Sequence, residues 1–313
     1  MDQKEISTYL ENYYQDCSLR KRLSHQTLKA YKIDLNQYFD FIGTEINNTK
    51  KMTNYILWLN QKYAKPKTVK RKIASVKAFY TYLEYEEMII NNPFRKMRTL
   101  IKEPKLLPKT IPTQYLTLLF HSLYASYDNA QTQYQKYQAL RNIAVIELLF
   151  STGIRISELC HIHNEDLDIE MHTLKIMGKG AKERLLYIGN DDVIDVLRRY
   201  HQLKDSLFKD HDYFFVNKLG NRLSEQSVRL LLNNLEEKLH IPIHMTPHMF
   251  RHTFATTLLE KEVDIRYIQK ILGHSSISVT QIYTHVSYQK QKEILSIKNP
   301  MNDFVLSYEK DRL

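Results

Sequence analysis

A chain of 313 residues with 43% apolar side chains, 7 glycines and 8 prolines can bury two ordinary cores and leaves no large disordered share. Its polar start, MDQKEISTYLENYYQDC, is not a signal peptide, no run of about 18 uncharged apolar residues offers a membrane span, and Cys17 and Cys160 fit no metal spacing. The net charge of +10 is concentrated, since residues 1–110 hold 21 Lys/Arg against 11 Asp/Glu while residues 111–313 hold 24 of each; such a bias suits a polyanionic partner, although a merely soluble basic surface shares it.

The first hundred residues read as helices. From Ser24, a candidate N-cap, Leu28, Tyr31, Leu35, Tyr38, Phe39 and Ile42 recur at helical spacing. Met52, Ile56 and Leu59 mark a second helix. A third begins after Pro66 and carries Val69, Ile73, Val76, Phe79, Tyr80 and Leu83. Its other face shows Lys67, Lys70, Arg71, Lys72 and Lys77, the side chains to lay against a DNA backbone; a solvated lysine face is the plainer alternative. Asn91-Asn92-Pro93 ends the helical run. Residues 101–112, IKEPKLLPKTIP, hold three prolines without periodicity and read as an extended connection. The chain thus divides into a helical domain at 1–100, a linker at 101–112 and a second domain at 113–285, followed by a tail at 286–313.

The second domain reads as α-rich with a small antiparallel β insertion. Residues 139–151, ALRNIAVIELLFS, form a buried helix, after which Gly153 turns the chain into another. Residues 172–188 read as two short strands joined by a turn at Gly178–Ala181, and further helices are expected at 191–204, 224–239, 246–261 and 264–272.

Four separated segments carry candidate chemistry: Thr152-Gly153-Ile154-Arg155-Ile156-Ser157-Glu158-Leu159; Gly178-Lys179-Gly180; Thr246-Pro247-His248-Met249-Phe250-Arg251-His252-Thr253; and Leu272-Gly273-His274-Ser275-Ser276, with Tyr283 nine residues beyond His274. His248 and Arg251 are i and i+3 on one helix face, near an N-terminus where backbone dipoles favour an anion. Arg155 follows a glycine turn at another helix start. Two guanidinium forks with imidazole donors make a clamp for one phosphate. Gly273 is placed to cap one helix, and Ser275 or Ser276 to open the next. Each residue alone is weak, and with 22 tyrosines an arbitrary one says little; the signal is in the joint order and spacing.

These segments resemble the tyrosine recombinase (phage integrase) family, and the compact layout is most similar to its Xer-type branch. The likeness spans nearly the whole chain. It implies the tyrosine recombinase fold: an N-terminal helical, SAM-like core-binding domain, then an α-rich catalytic domain with a small antiparallel sheet. The family's Arg, Lys, His-x-x-Arg, His and Tyr fall on Arg155, Lys179, His248, Arg251, His274 and Tyr283. Glu158 matches an acidic position that supports such sites, and His252 is expected to pack or hydrogen-bond beside them. Tyr283 would attack the scissile phosphate and take the 3′ end, with His248 accepting its proton, because a tyrosine of ordinary pKa about 10 is a poor nucleophile. Arg155, Arg251 and His274 would stabilise the developing charge, and Lys179 would protonate the departing 5′ oxygen. Cationic side chains then fill the role of divalent ions, so neither a metal nor another cofactor is expected.

The implied partner is double-stranded DNA bearing a recombination site, held by a homotetramer on paired sites or by a heterotetramer with a sister recombinase. Residues 286–313 would dock on a neighbouring protomer, with packing on their own domain the alternative. Gln226 and Arg229, on the 224–239 helix, are candidates for base contacts, or else ordinary exposed polar residues. A cytoplasmic, nucleoid-associated setting follows. Two rival readings stay open: a type IB topoisomerase-like nicking-closing enzyme, and a non-catalytic DNA-binding accessory protein of the same fold.

Overall fold

The computed structural model describes residues 2–97, 99, 101–102, 108–178, 183–209 and 211–273. The chain divides into two compact units, Met1–Lys105 and Leu106–Leu313.

The first unit is helical: α1 (Gln3–Leu19), α2 (His25–Ile42), α3 (Thr49–Lys62) and α4 (Pro66–Tyr85), closed by a single 3₁₀ turn at Pro93–Arg95. Local chemistry sets each start. Asp2 and Glu5 form a capping box, Ser24 accepts from the Thr27 N–H, Asn48 accepts from the Lys51 N–H, and Pro66 occupies the first turn of α4. The apolar stripe of α4 (Val69, Ile73, Val76, Phe79, Tyr80, Leu83) is buried as its spacing predicts, in one core with Leu35, Tyr38, Phe39 and Ile42 of α2. Two buried tyrosines satisfy one another: the Tyr38 hydroxyl lies 3.0 Å from that of Tyr80, which donates to the Ile46 carbonyl at 2.7 Å. Tyr80 is thereby committed as donor to the backbone, so Tyr38 donates to it.

The second unit is built on α6 (Gln133–Thr152), flanked by α5 (Thr113–Asp128), α8 (Asp191–Leu207) and α10 (Pro247–Glu260). Ile143, Ile146, Leu148 and Leu149 of α6 are at most 1% exposed, each contributing on the order of 1.5–3 kcal/mol of burial. This helix begins six residues before the apolar run, because Thr132 and Gln135 form a capping box that lets polar residues extend it. The sheet is antiparallel in the order β1 (Leu167–Asp168), β2 (Thr173–Met177), β3 (Glu183–Tyr187). The β2–β3 pair supplies the two expected strands, while all but the first residue of the expected Gly178–Ala181 turn lies outside the described residues; the two-residue β1 is too short to show any alternation in sequence. Leu174, Ile176 and Leu186 face the core. Among the described residues the remaining α-helices are α7 (Ile156–Cys160), α9 (Glu225–Lys238) and α11 (Ile265–Leu272), and α11 packs on α10 through Ile268, Leu272, Ala255 and Phe254. Among the described residues no helix is long and apolar enough to cross a membrane.

Candidate active site

Helix α6 ends at Gly153 in the left-handed region, φ +62°. A Cβ there would lie 2.5 Å from Cδ1 of Phe254 and 2.9 Å from Cδ2 of Leu272, so glycine is what allows α10 and α11 to close on this turn. Two residues later Arg155 precedes α7 in extended conformation. Its backbone N–H donates to Oε2 of Glu158 at 2.8 Å and its Nη1 donates to Oε1 at 2.8 Å. Glu158 also receives a bidentate fork from Arg184 on β3, Nη1 to Oε1 at 3.0 Å and Nη2 to Oε2 at 2.8 Å. The Nε of Arg184 donates to the Ile271 carbonyl at 3.1 Å. Burial pushes the Glu158 carboxyl up, but the Arg184 fork, the Arg155 N–H and both guanidinium charges outweigh it and hold the group below the usual carboxylate range.

Helix α10 opens with Thr246, whose hydroxyl accepts from the Met249 N–H, and with Pro247 in its first turn. Arg251, one turn in and only 4% exposed, reaches two loop ends at once: Nη1 donates to the Gly153 carbonyl at 2.8 Å and Nη2 to the Leu272 carbonyl at 2.7 Å. The final carbonyls of a helix lack helical partners and carry partial negative charge, so guanidinium groups suit Ile271 and Leu272. His248 keeps an exposed edge in the first turn of α10, its ring centroid 6.5 Å from that of His252. Burial of the rest of the ring and the charges of Arg251, Arg155 and Arg229 lower its pKa, with Glu225 opposing. His252 is pushed down to about 4 by burial, His248 and Arg251. Both imidazoles are therefore neutral near pH 7, and His248 is ready to accept a proton. An open cavity of about 740 Å³ extends from Arg155 and Glu158 past Lys175 to Gly178 at the end of β2.

The structure thus brings Arg155, Glu158, His248, Arg251 and His252 together from α7 and α10. Lys179, His274 and Tyr283 lie outside the described residues, as do Ser275 and Ser276. Arg184 escaped the sequence reading, although a signal was present. It pairs across the sheet with buried Ile176 and shares the alternation of Leu186, so a charge sits in an inward register and needs a partner.

Gln226 is exposed on α9, while Arg229, also exposed, pairs with Glu225 at 2.7 Å. Ser224 caps the helix by accepting from the Ser227 N–H. On α4, Lys67, Lys70 and Arg71 are exposed; Arg71 also pairs with Asp34, and Lys77 is half-buried against the Thr99 hydroxyl. Lys72 corrects the expected basic face. It is 4% exposed and its Nζ donates to the buried Asp34 at 2.9 Å, which also accepts from Ser75 at 2.8 Å, so its charge is spent inside the core. The lysine spacing could not distinguish it, because the needed partner lies 38 residues away on α2. Among the described residues no three His, Cys, Asp or Glu side chains gather as a metal site.

Residues 120–290 match the Phage integrase family, and residues 10–87 match the Phage integrase, N-terminal SAM-like domain. A tyrosine recombinase of Agathobacter rectalis is 47% identical over 304 residues, covering 96% of this chain and 98% of that protein. Tyrosine recombinase XerC of Staphylococcus saprophyticus is 33% identical over 289 residues, covering 90% and 94%. Among solved structures, the XerH site-specific recombinase bound to palindromic difH substrate, a post-cleavage complex, shares the fold with a TM-score of 0.74 at 20% identity, covering 92% of this chain and 84% of that one.

Proposed function

From the premise that this chain belongs to the tyrosine recombinase (phage integrase) family and is an enzyme of that class, we propose that it cuts and rejoins DNA at a specific site through a 3′-phosphotyrosyl link on Tyr283. The observation that carries this reading is the convergence of Arg155 and Arg251 around an imidazole, His248, that their own charges help keep neutral. A phosphate seated there would meet two guanidinium groups on its non-bridging oxygens while His248 took the tyrosine proton. His274 adds a hydrogen bond to the same oxygens, and Lys179 delivers a proton to the leaving 5′ hydroxyl. The link conserves the energy of the broken bond, so rejoining by a 5′ hydroxyl needs no high-energy cofactor. No step calls for a metal.

In this reading residues 1–100 bind the duplex, residues 101–112 link them to a catalytic domain at 113–285, and residues 286–313 dock on a neighbouring protomer of a tetramer. The tetramer holds paired sites, either as one protein or with a sister recombinase. Lys67, Lys70, Arg71 and Lys77 contact phosphates, while Gln226 and Arg229 face bases. The task is chromosome dimer resolution or the integration and excision of a mobile element, in the cytoplasm on the nucleoid.

The test uses nicked, labelled duplexes drawn from DNA flanking the gene and from the host's replication terminus. The nick releases the short 5′ fragment and traps the covalent adduct, seen on a denaturing gel. An adduct lost in Tyr283→Phe is the expected result. Tight binding with no adduct on any duplex would favour an accessory DNA-binding role instead.

A further inference from the structure

We propose that Arg184 is a positioning residue for Arg155, acting through the shared carboxylate of Glu158. This rests on the reading of Arg155 as a phosphate clamp. Arg155, Glu158 and Arg184 form one connected group with two positive charges and one negative, a surplus of +1. The arrangement decides where that surplus appears. The Arg184 side chain is 13% exposed and Glu158 6%, whereas Arg155 is 33% exposed and lines the open cavity. Arg184 neutralises the carboxylate from within, and the uncompensated charge is presented at Arg155.

The contacts of Arg184 are built rather than incidental. Its fork spans both Glu158 oxygens, and its third nitrogen is held by the Ile271 carbonyl, so the guanidinium is fixed from two sides. Room for it is specific as well: a Cβ on Gly273 would fall 2.9 Å from Nη1 of Arg184 and 3.1 Å from its Cζ. Gly273, φ +64°, thus serves the α11 cap and the seat of Arg184 together. Without Arg184, a buried carboxylate would have Arg155 as its only cation among these contacts. Arg155 would be drawn onto it, and the net charge offered to a phosphate would fall from +1 to zero.

The test needs no knowledge of the target sequence. Full-length protein labelled with ¹⁵N-arginine is titrated with inorganic phosphate at constant ionic strength, and the Arg155 side-chain signal is assigned by its loss in Arg155→Lys. Phosphate is expected to shift that signal in the wild type and to require about tenfold more phosphate or worse in Arg184→Met, the scale of losing a charge-assisted contact. Adding Glu158→Gln to Arg184→Met is expected to restore the response, because the competing carboxylate is then gone; a residue that merely held the fold together would give no such rescue. Should Arg184→Met fail to fold, Arg184→Lys keeps the charge without the fork, and an intermediate response is expected. An unchanged response in the Arg184 variants, or no rescue by Glu158→Gln, overturns the positioning role. Silence of Arg155 towards phosphate in the wild type overturns the clamp reading beneath it.

Discussion

The guanidinium of Arg251 donates to the carbonyl of Gly153 at 2.8 Å, so a residue near the start of α10 fixes the turn from which Arg155 emerges, 98 positions earlier in sequence. Lysine at 251 keeps a charge but cannot reach the Gly153 and Leu272 carbonyls with one planar fork. Arg251→Lys is expected to slow single-turnover cleavage of a trapping duplex by about 10²–10³-fold, with DNA affinity little changed. Equal loss of rate and affinity would assign Arg251 to binding alone.

Gly153 tolerates no side chain. Its φ of +62° strains any L-residue, and the added Cβ collides with Phe254 and Leu272. Gly153→Ala is expected to destabilise the catalytic unit by roughly 2–4 kcal/mol, summing backbone strain and overpacking. Thermal unfolding followed by near-ultraviolet circular dichroism measures it.

The lowered pKa of His248 fixes the sign of a pH effect on rate. A general base must be unprotonated, and here the ring stays neutral to a pH below the ordinary histidine value of about 6.5. The cleavage rate at sub-saturating DNA, which reports the free protein, is therefore expected to hold down to about pH 6.5 and to fall only below it. His248→Ala should lower the rate by about 10²–10⁴-fold and erase that limb. An acid limb centred above 6.5 would remove His248 from the role of base.

His252 makes a matching statement about stability. Its folded pKa is about 4 against an ordinary value of 6.5, so below 6.5 the unfolded chain takes up a proton that the folded ring refuses. The contribution is complete above pH 6.5 and is lost as pH falls towards 4. The melting temperature should decline through that window, and less steeply in His252→Gln.

In the first unit, the buried Asp34 receives Lys72 and Ser75 and pairs with Arg71. Asp34→Asn removes the carboxylate that pairs with the Lys72 ammonium, itself 4% exposed, and is expected to cost about 3–5 kcal/mol. Adding Lys72→Met should recover most of that loss. Denaturant titration reads both, and a single variant as stable as wild type would show that water reaches Lys72.

Sequence patterning revealed what is local. Helical spacing located α2, α3 and α4, with Ser24 as a cap, Gly153 as a turn between helices and Gly273 as a C-terminal cap; the structure adds that both glycines are left-handed. The spacing of His248 and Arg251 placed them on one helix. Burial decided by distant partners was not legible. Lys72 looked like its neighbours until Asp34 was seen to face it from α2, and Arg184 was read only as part of a hairpin because Glu158 and Ile271 reach it from other elements. Helix α1 buries only Ile6, Tyr13 and Cys17, too sparse an apolar stripe to mark it in sequence. The early start of α6 went unread because a capping box holds polar residues in helix that no apolar period marks.

The end of α11 is held by two arginines, Arg184 on the Ile271 carbonyl and Arg251 on the Leu272 carbonyl. If the last turn of α11 unwinds, both acceptors leave together, leaving Arg184 with its Glu158 fork and Arg251 with the Gly153 carbonyl, each short of one anchor. Fraying of that turn thus loosens both guanidiniums at once rather than independently. Its free energy is readable as hydrogen-exchange protection at the Leu272 and Gly273 amides, and anything that tightens or loosens that one helical turn sets the fraction of molecules whose charges are aligned for a phosphate.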